Sequence, residues 1–355
     1  MVLLKNFLLI TPYRKLLFLM LFLSNGYCFA QSLNSTLFQT MSCLYDMDYG
    51  CADSIMQQTD SAARPNQYNF MKAHYIRWKQ LPIHEAAQSV TENYSRYLVR
   101  TNESNNTKID SLITVNNALL EAEYHYNNKS YYKAFSSGAV IYNTIAPKIS
   151  KPIQEVNIDW LLPVSLYHYY YSYYSESNVV IGGLMWFFKD GDKKEGLTGL
   201  AKLAASDNFA QTEALIYLSQ IYLRIENKPE IAFKYATQLI TKHPDNLKFY
   251  EFYIEAACAT GNKPPIIQDL IIKLLSDTNP YFNKYGICYE TLIDPKASEA
   301  TIELSLSAID DLGGGNHLKS LLYKKAYLLN RKKYYLDLLK RSRNYEYKLT
   351  LIADN

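Results

Sequence analysis

Thr212–Pro244 reads TEALIYLSQIYLRIENKPEIAFKYATQLITKHP. In its first half Ala214, Leu215, Leu218, Ile221 and Tyr222 recur at three- and four-residue intervals, which sets them on one face of a helix. Glu226-Asn227-Lys228-Pro229 interrupts the pattern, because proline cannot continue a helix and the residue before it avoids helical angles. Ile231, Ala232, Tyr235, Ala236, Leu239 and Ile240 restore it, and His243-Pro244-Asp245-Asn246 ends it and caps the next helix. Two short amphipathic helices on a tight turn cannot bury their apolar faces alone. The unit therefore needs neighbours of its own kind.

These residues resemble the tetratricopeptide repeat, a helix-turn-helix unit of about 34 residues. Leu215 stands where that family prefers Trp, Leu218 at its Leu and Ser219 at its small position. Tyr222 matches its Tyr, Ala232 the Ala of the second helix and Pro244 the closing Pro. Phe187–Leu215 (FFKDGDKKEGLTGLAKLAASDNFAQTEAL) is similar to the tetratricopeptide family that includes a factor for clearing inclusion bodies. There an aromatic-Gly-Asp-basic segment precedes Gly-Leu and a small-residue helix. The resemblance implies an all-α fold of antiparallel helical hairpins stacked as a TPR-like α-solenoid. In such arrays the first helix of each hairpin lines a concave groove. Glu213, Gln220 and Arg224 of the clear repeat, with Glu251 and Glu255 of the next, are then the expected partner-binding set. An acidic groove of this kind suits a basic or amide-rich extended peptide. The same residues are also ordinary for a solvated helix face.

Helical spacing recurs along the rest of the chain. Ser35–Leu44 with Cys51–Gln58, and Pro65–Gln80 with Glu85–Val99, read as the first two hairpins. Asp110–Tyr126 turns through Asn127-Asn128-Lys129 into Tyr131–Ile145, where Ala134 and Gly138 are small enough for close helix approach. Pro147–Pro163 holds three prolines and no sustained period, so it reads as a joint between an N-terminal half (31–150) and a C-terminal half (164–355). Tyr167–Tyr174 (YHYYYSYY) places tyrosine on every side of a helix, serving packing or a binding surface. Val179–Phe188 reads as an apolar helix, and Asp192 and Glu195 are spaced as a capping box. Beyond the clear repeat, Leu247–Ala259 with Pro265–Leu275, Tyr281–Leu292 with Ala297–Leu312, and Leu318–Leu329 with Tyr334–Leu349 continue the series. In the last pair Tyr323, Tyr327, Leu328, Tyr335, Leu338 and Leu339 are expected to turn inward, the basic residues outward.

The chain of 355 residues opens with Lys5, Arg14 and Lys15 around an apolar run, then Cys28-Phe29-Ala30. That order reads as a secretory signal over residues 1–30 cleaved after Ala30, and places the protein in the periplasm or cell envelope of a bacterium. The formal charge of +3 is matched by those three basic residues. A near-neutral remainder argues against general nucleic-acid binding. Lys319–Lys348 is locally basic, which suits either a solvated outer face or peripheral contact with an anionic surface. No later segment is long enough to span a membrane. After cleavage Cys43, Cys51, Cys258 and Cys288 remain, and the first two flank a turn, making them candidates for a disulfide.

Signatures of catalysis are missing. His84-Glu85 lacks the second histidine of a zinc-protease helix, there is no Cys-x-x-Cys pair, and Gly313-Gly314-Gly315 precedes Asn316-His317 rather than the lysine of a phosphate loop. No cofactor or metal is expected. The sequence reads as an exported TPR-like scaffold that binds a protein or extended peptide and performs no catalysis. Two further readings stand beside it. One is a helical module binding glycan or cell-wall polymer through Tyr167–Tyr174. The other is an α/α-toroid glycan-active enzyme, which needs converging carboxylates that spacing alone does not place.

Overall fold

A computed structural model describes residues 36–61, 64–81, 83, 86–98, 108–128, 130–177, 188–261, 264–310 and 316–341. The expected signal (1–30), the expected loop 101–107, His84-Glu85, residues 179–187 of the expected helix 179–188, the glycines 313–315 and the end of the basic block (342–348) lie outside the described residues. Sixteen α-helices and no strand occur among the described residues.

In chain order the N-terminal helices are α1 (36–45), α2 (Tyr49–Gln57), α3 (Pro65–Lys79), α4 (Gln88–Leu98), α5 (Lys108–Asn127) and α6 (Tyr131–Ile149). After them come α7 (Leu161–Ser177), α8 (Lys193–Ala204), α9 (Gln211–Arg224), α10 (Pro229–Lys242), α11 (Leu247–Thr260) and α12 (Ile266–Ser276). The last four are α13 (Pro280–Ile293), α14 (Glu299–Asp310), α15 (Asn316–Asn330) and α16 (Lys333–Arg341). From α2 onward consecutive helices pack on one another, and in addition α9 touches α11, α11 touches α13 and α13 touches α15.

The Thr212–Pro244 hairpin forms as its periodicity requires. Ala214, Leu215, Leu218 and Ile221 of α9 and Ala232, Ala236 and Leu239 of α10 are buried. Tyr222 stacks on Tyr235 with ring centroids 5.9 Å apart. The turn between them closes through Asn227 at φ 52°, a left-handed conformation that asparagine tolerates. Asn246 then caps α11, its side-chain oxygen accepting from the Lys248 and Phe249 amides. Its Nδ2 donates to the Tyr45 carbonyl, 2.7 Å away. A second link joins the same elements: His243 Nδ1 lies 2.6 Å from Asp46 Oδ1 and its Nε2 3.0 Å from Thr212 Oγ1. The first hairpin is thereby docked on α9–α11.

The expected joint is a packed corner. α6 runs through Pro147 to Ile149, and two short 3₁₀ turns (Ile153–Glu155 and Ile158–Trp160) lead into α7. Pro163 falls in the first turn of α7, where an amide has no helical partner to lose. Ile153, Val156, Trp160 and Leu161 are all buried, and one hydrophobic cluster extends from Leu37 to Tyr335.

The small residues that matter for close packing are Gly196 and Gly199 on α8, against α7. A Cβ at Gly196 would stand 2.6 Å from the Tyr169 amide nitrogen, and one at Gly199 2.1 Å from Ser165 Oγ. Gly138 differs from expectation: a Cβ there would meet nothing within 4 Å. Asp192 caps α8 by accepting from the Glu195 amide, but Glu195 does not complete the box; its carboxylate accepts from the Ile153 amide instead. At the far end Tyr335 and Leu339 are buried, whereas Leu328 is 43% exposed and so departs from the expected inward set. Cys43 and Cys51 are joined as a disulfide across the α1–α2 turn, while Cys258 and Cys288 remain thiols.

Candidate functional site

Helices from both parts of the chain share a cavity of about 700 Å3. Arg77 and Trp78 enter it from the end of α3, Glu123 and Tyr126 from α5, Gly138 from α6, and Tyr170 and Tyr174 from α7. The other contributions come from α9 (Glu213, Tyr217, Gln220, Arg224), α11 (Lys248, Phe252) and α13 (Tyr281, Tyr285). Each pair one turn apart on a helix presents to the cavity because residues i and i+4 share a face.

The cations here arrive already paired. The Arg77 guanidinium donates to both Glu123 oxygens, at 3.2 and 3.1 Å. Arg224 donates to Glu255 at 3.0 Å and lies over the Phe252 ring. Lys248 contacts Glu251 at 2.6 Å, bonds the Tyr281 hydroxyl, and sits over the rings of Tyr281 and Tyr285. Tyr281 and Tyr289 in turn donate to Glu251 (3.0 Å) and Glu255 (2.8 Å).

Of the five expected groove residues, Glu213, Gln220 and Arg224 line the cavity. Glu251 and Glu255 are corrected: they are 0% and 2% exposed and lie behind the wall, under the basic and tyrosine groups they hold. Helix periodicity put them on the right helix but could not show that Lys248, Arg224, Tyr281 and Tyr289 cover them. Charge at the wall is therefore not acidic as expected. Glu213 accepts from the Tyr45 hydroxyl at 2.9 Å, and burial raises its carboxyl above the ordinary range.

Sequence reading missed Arg77, Trp78, Lys248, Tyr281 and Tyr285. A signal existed for part of this set. Lys248 and Tyr281 are 33 positions apart, the length of the Thr212–Pro244 hairpin, and Phe252 and Tyr285 stand in the same relation four residues on. The tyrosine-rich helix divides its residues between the interior and the cavity. Tyr169 and Tyr171 are buried and donate to Glu226 and Asp190, while Tyr170 and Tyr174 stack and face the cavity.

Burial also pushes the Glu251 carboxyl up to about 7, against the opposing pull of Lys248. From about pH 4.5 to 7 the folded protein holds a proton that the unfolded chain has released, so stability falls as pH rises through that window. Glu251→Gln removes the titration while keeping the shape. We expect its unfolding midpoint to decline less than the parent's between about pH 5 and pH 8, by up to about 3 kcal/mol at the upper end. Equal pH slopes for the two proteins in denaturant titrations would refute the assignment.

No protein-family model matches this chain, and no curated protein or solved structure shows significant similarity to it.

Proposed function

We propose that this protein is an exported, non-catalytic binding module of the bacterial cell envelope, built of TPR-like hairpins stacked as a solenoid, and that its ligand is a glycan held in the cavity. The observation carrying this reading is the composition of the wall. Eight of the 21 lining residues are aromatic, against 14% of the whole chain. The C–H face of a pyranose is apolar and packs flat on such rings, while its hydroxyls need donors and acceptors beside them. Paired side chains such as Arg77–Glu123 supply both.

Gly138 provides the test, since a side chain there enters open space. Gly138→Phe should fold as the parent does and fill part of the cavity. Soluble wall glycans should change the emission of Trp78 in the parent and leave the variant unmoved. A response equal in both proteins would place the ligand elsewhere. Release of new reducing ends from the bound glycan would overturn the non-catalytic reading. A second reading, a scaffold for an extended peptide, is favoured by Glu213, Gln220 and Arg224, which resemble the groove positions of tetratricopeptide arrays and line this cavity. Binding of unstructured envelope peptides, abolished by Gly138→Phe, in the absence of any glycan response would select it.

A further inference from the structure

Resting on the glycan reading, we infer that the cavity takes uncharged oligosaccharides and discriminates against carboxylated or phosphorylated ones. Three cations reach the wall, and each has its own carboxylate: Arg77 with Glu123, Arg224 with Glu255, and Lys248 with Glu251. Two of those carboxylates are almost wholly buried, so a ligand anion could recruit Arg224 or Lys248 only by parting it from a buried carboxylate, which must then stay charged without its partner or take up a proton. Glu213 is the remaining carboxylate at the wall; it accepts from the Tyr45 hydroxyl and lies in the field of Arg77, so that cation stands between two carboxylates.

The groups left over are neutral. The Trp78 indole N–H has no hydrogen-bond partner and is closed off from solvent, so it reaches a ligand only if the wall shifts. The Gln220 amide makes no hydrogen bond among the described residues, and neither does the Tyr217 hydroxyl, which faces the same space. An amide that both donates and accepts, and a phenol, match a ring of hydroxyls better than a carboxylate. Ordinary ring-stacking on Tyr170, Tyr174 and Phe252 is indifferent to charge, so discrimination comes from the pairs.

The test compares matched ligands by calorimetry at low and high salt: uncharged chito- and cello-oligosaccharides against oligogalacturonates of equal length. We expect the uncharged set to bind with an affinity nearly independent of salt, and the acidic set to bind at least about tenfold more weakly. Glu123→Gln, which frees the Arg77 cation, should narrow that gap, a change that a merely structural role of Glu123 would not produce. Tighter binding of the acidic set, lost on Gly138→Phe and weakened by salt, would overturn this inference while leaving the cavity as a glycan site. Failure of both sets to bind would remove the glycan reading itself, and the inference with it.

Discussion

Gly196→Val is expected to destabilise the protein by about 3 kcal/mol or more. The added Cβ would lie 2.6 Å from the Tyr169 amide nitrogen, 2.7 Å from the Ser165 carbonyl oxygen and 2.9 Å from Tyr169 Cβ. Two of those atoms belong to the backbone of α7 and cannot swing away, so α7 and α8 must separate. Separation would uncover Tyr169, Leu200 and Leu203, each fully buried between or beside these helices. Helix propensity works in the opposite direction, but at roughly 0.5 kcal/mol it cannot compensate. Gly138→Ala supplies the contrast: it adds the same Cβ within a helix where nothing stands within 4 Å. There the propensity gain of about 0.5–1 kcal/mol should appear as a stabilisation. Thermal melts of the two variants should move in opposite directions. An unchanged midpoint for Gly196→Val would show that α7 and α8 are not packed as described.

Trp78→Ala should cost about 4 kcal/mol, in the range for truncating a buried large aromatic. The indole packs edge-on against Tyr45, with centroids 5.6 Å apart, and against Phe249 at 5.7 Å. It therefore bridges α1, α3 and α11, elements drawn from both expected halves of the chain. Because the buried cluster is continuous across Pro147–Pro163, the loss should not be confined to the N-terminal helices. Denaturant unfolding followed by hydrogen exchange should show amides of α11 losing protection together with those of α3. Loss of protection in α3 alone, with α11 as protected as in the parent, would mean that the halves unfold separately.

The repeat helices were legible because burial follows a 3.6-residue period, and the residues that satisfy it in α9 and α10 are those now in the core. Glu213, Gln220 and Arg224, which line the cavity, were expected only from the resemblance to tetratricopeptide arrays, and that expectation extended to the next hairpin. It failed at Glu251 and Glu255 because a helix face has no intrinsic exterior: a carboxylate on the outer stripe of α11 becomes interior once α13 lays Tyr281 and Tyr289 across it. Composition misled at Gly138 and was uninformative at Gly196, since a glycine next to empty space and one next to backbone are written with the same letter. Least legible of all was the partnership of α1 and α3 with α9 and α11. It rests on single contacts such as Tyr45–Glu213 and Trp78–Phe249, between residues with no pattern linking them along the sequence.

Asp46 and His243 are 197 residues apart, and Tyr45 and Asn246 are 201 apart. A polypeptide delivered amino end first, whether from a ribosome or through a translocation pore, must hold Tyr45 and Trp78 uncovered until Phe249 has emerged. Such late closure slows maturation and leaves sticky surface in the interim. Nascent chains halted before α11 should consequently depend on holdase chaperones, and those halted after it should not.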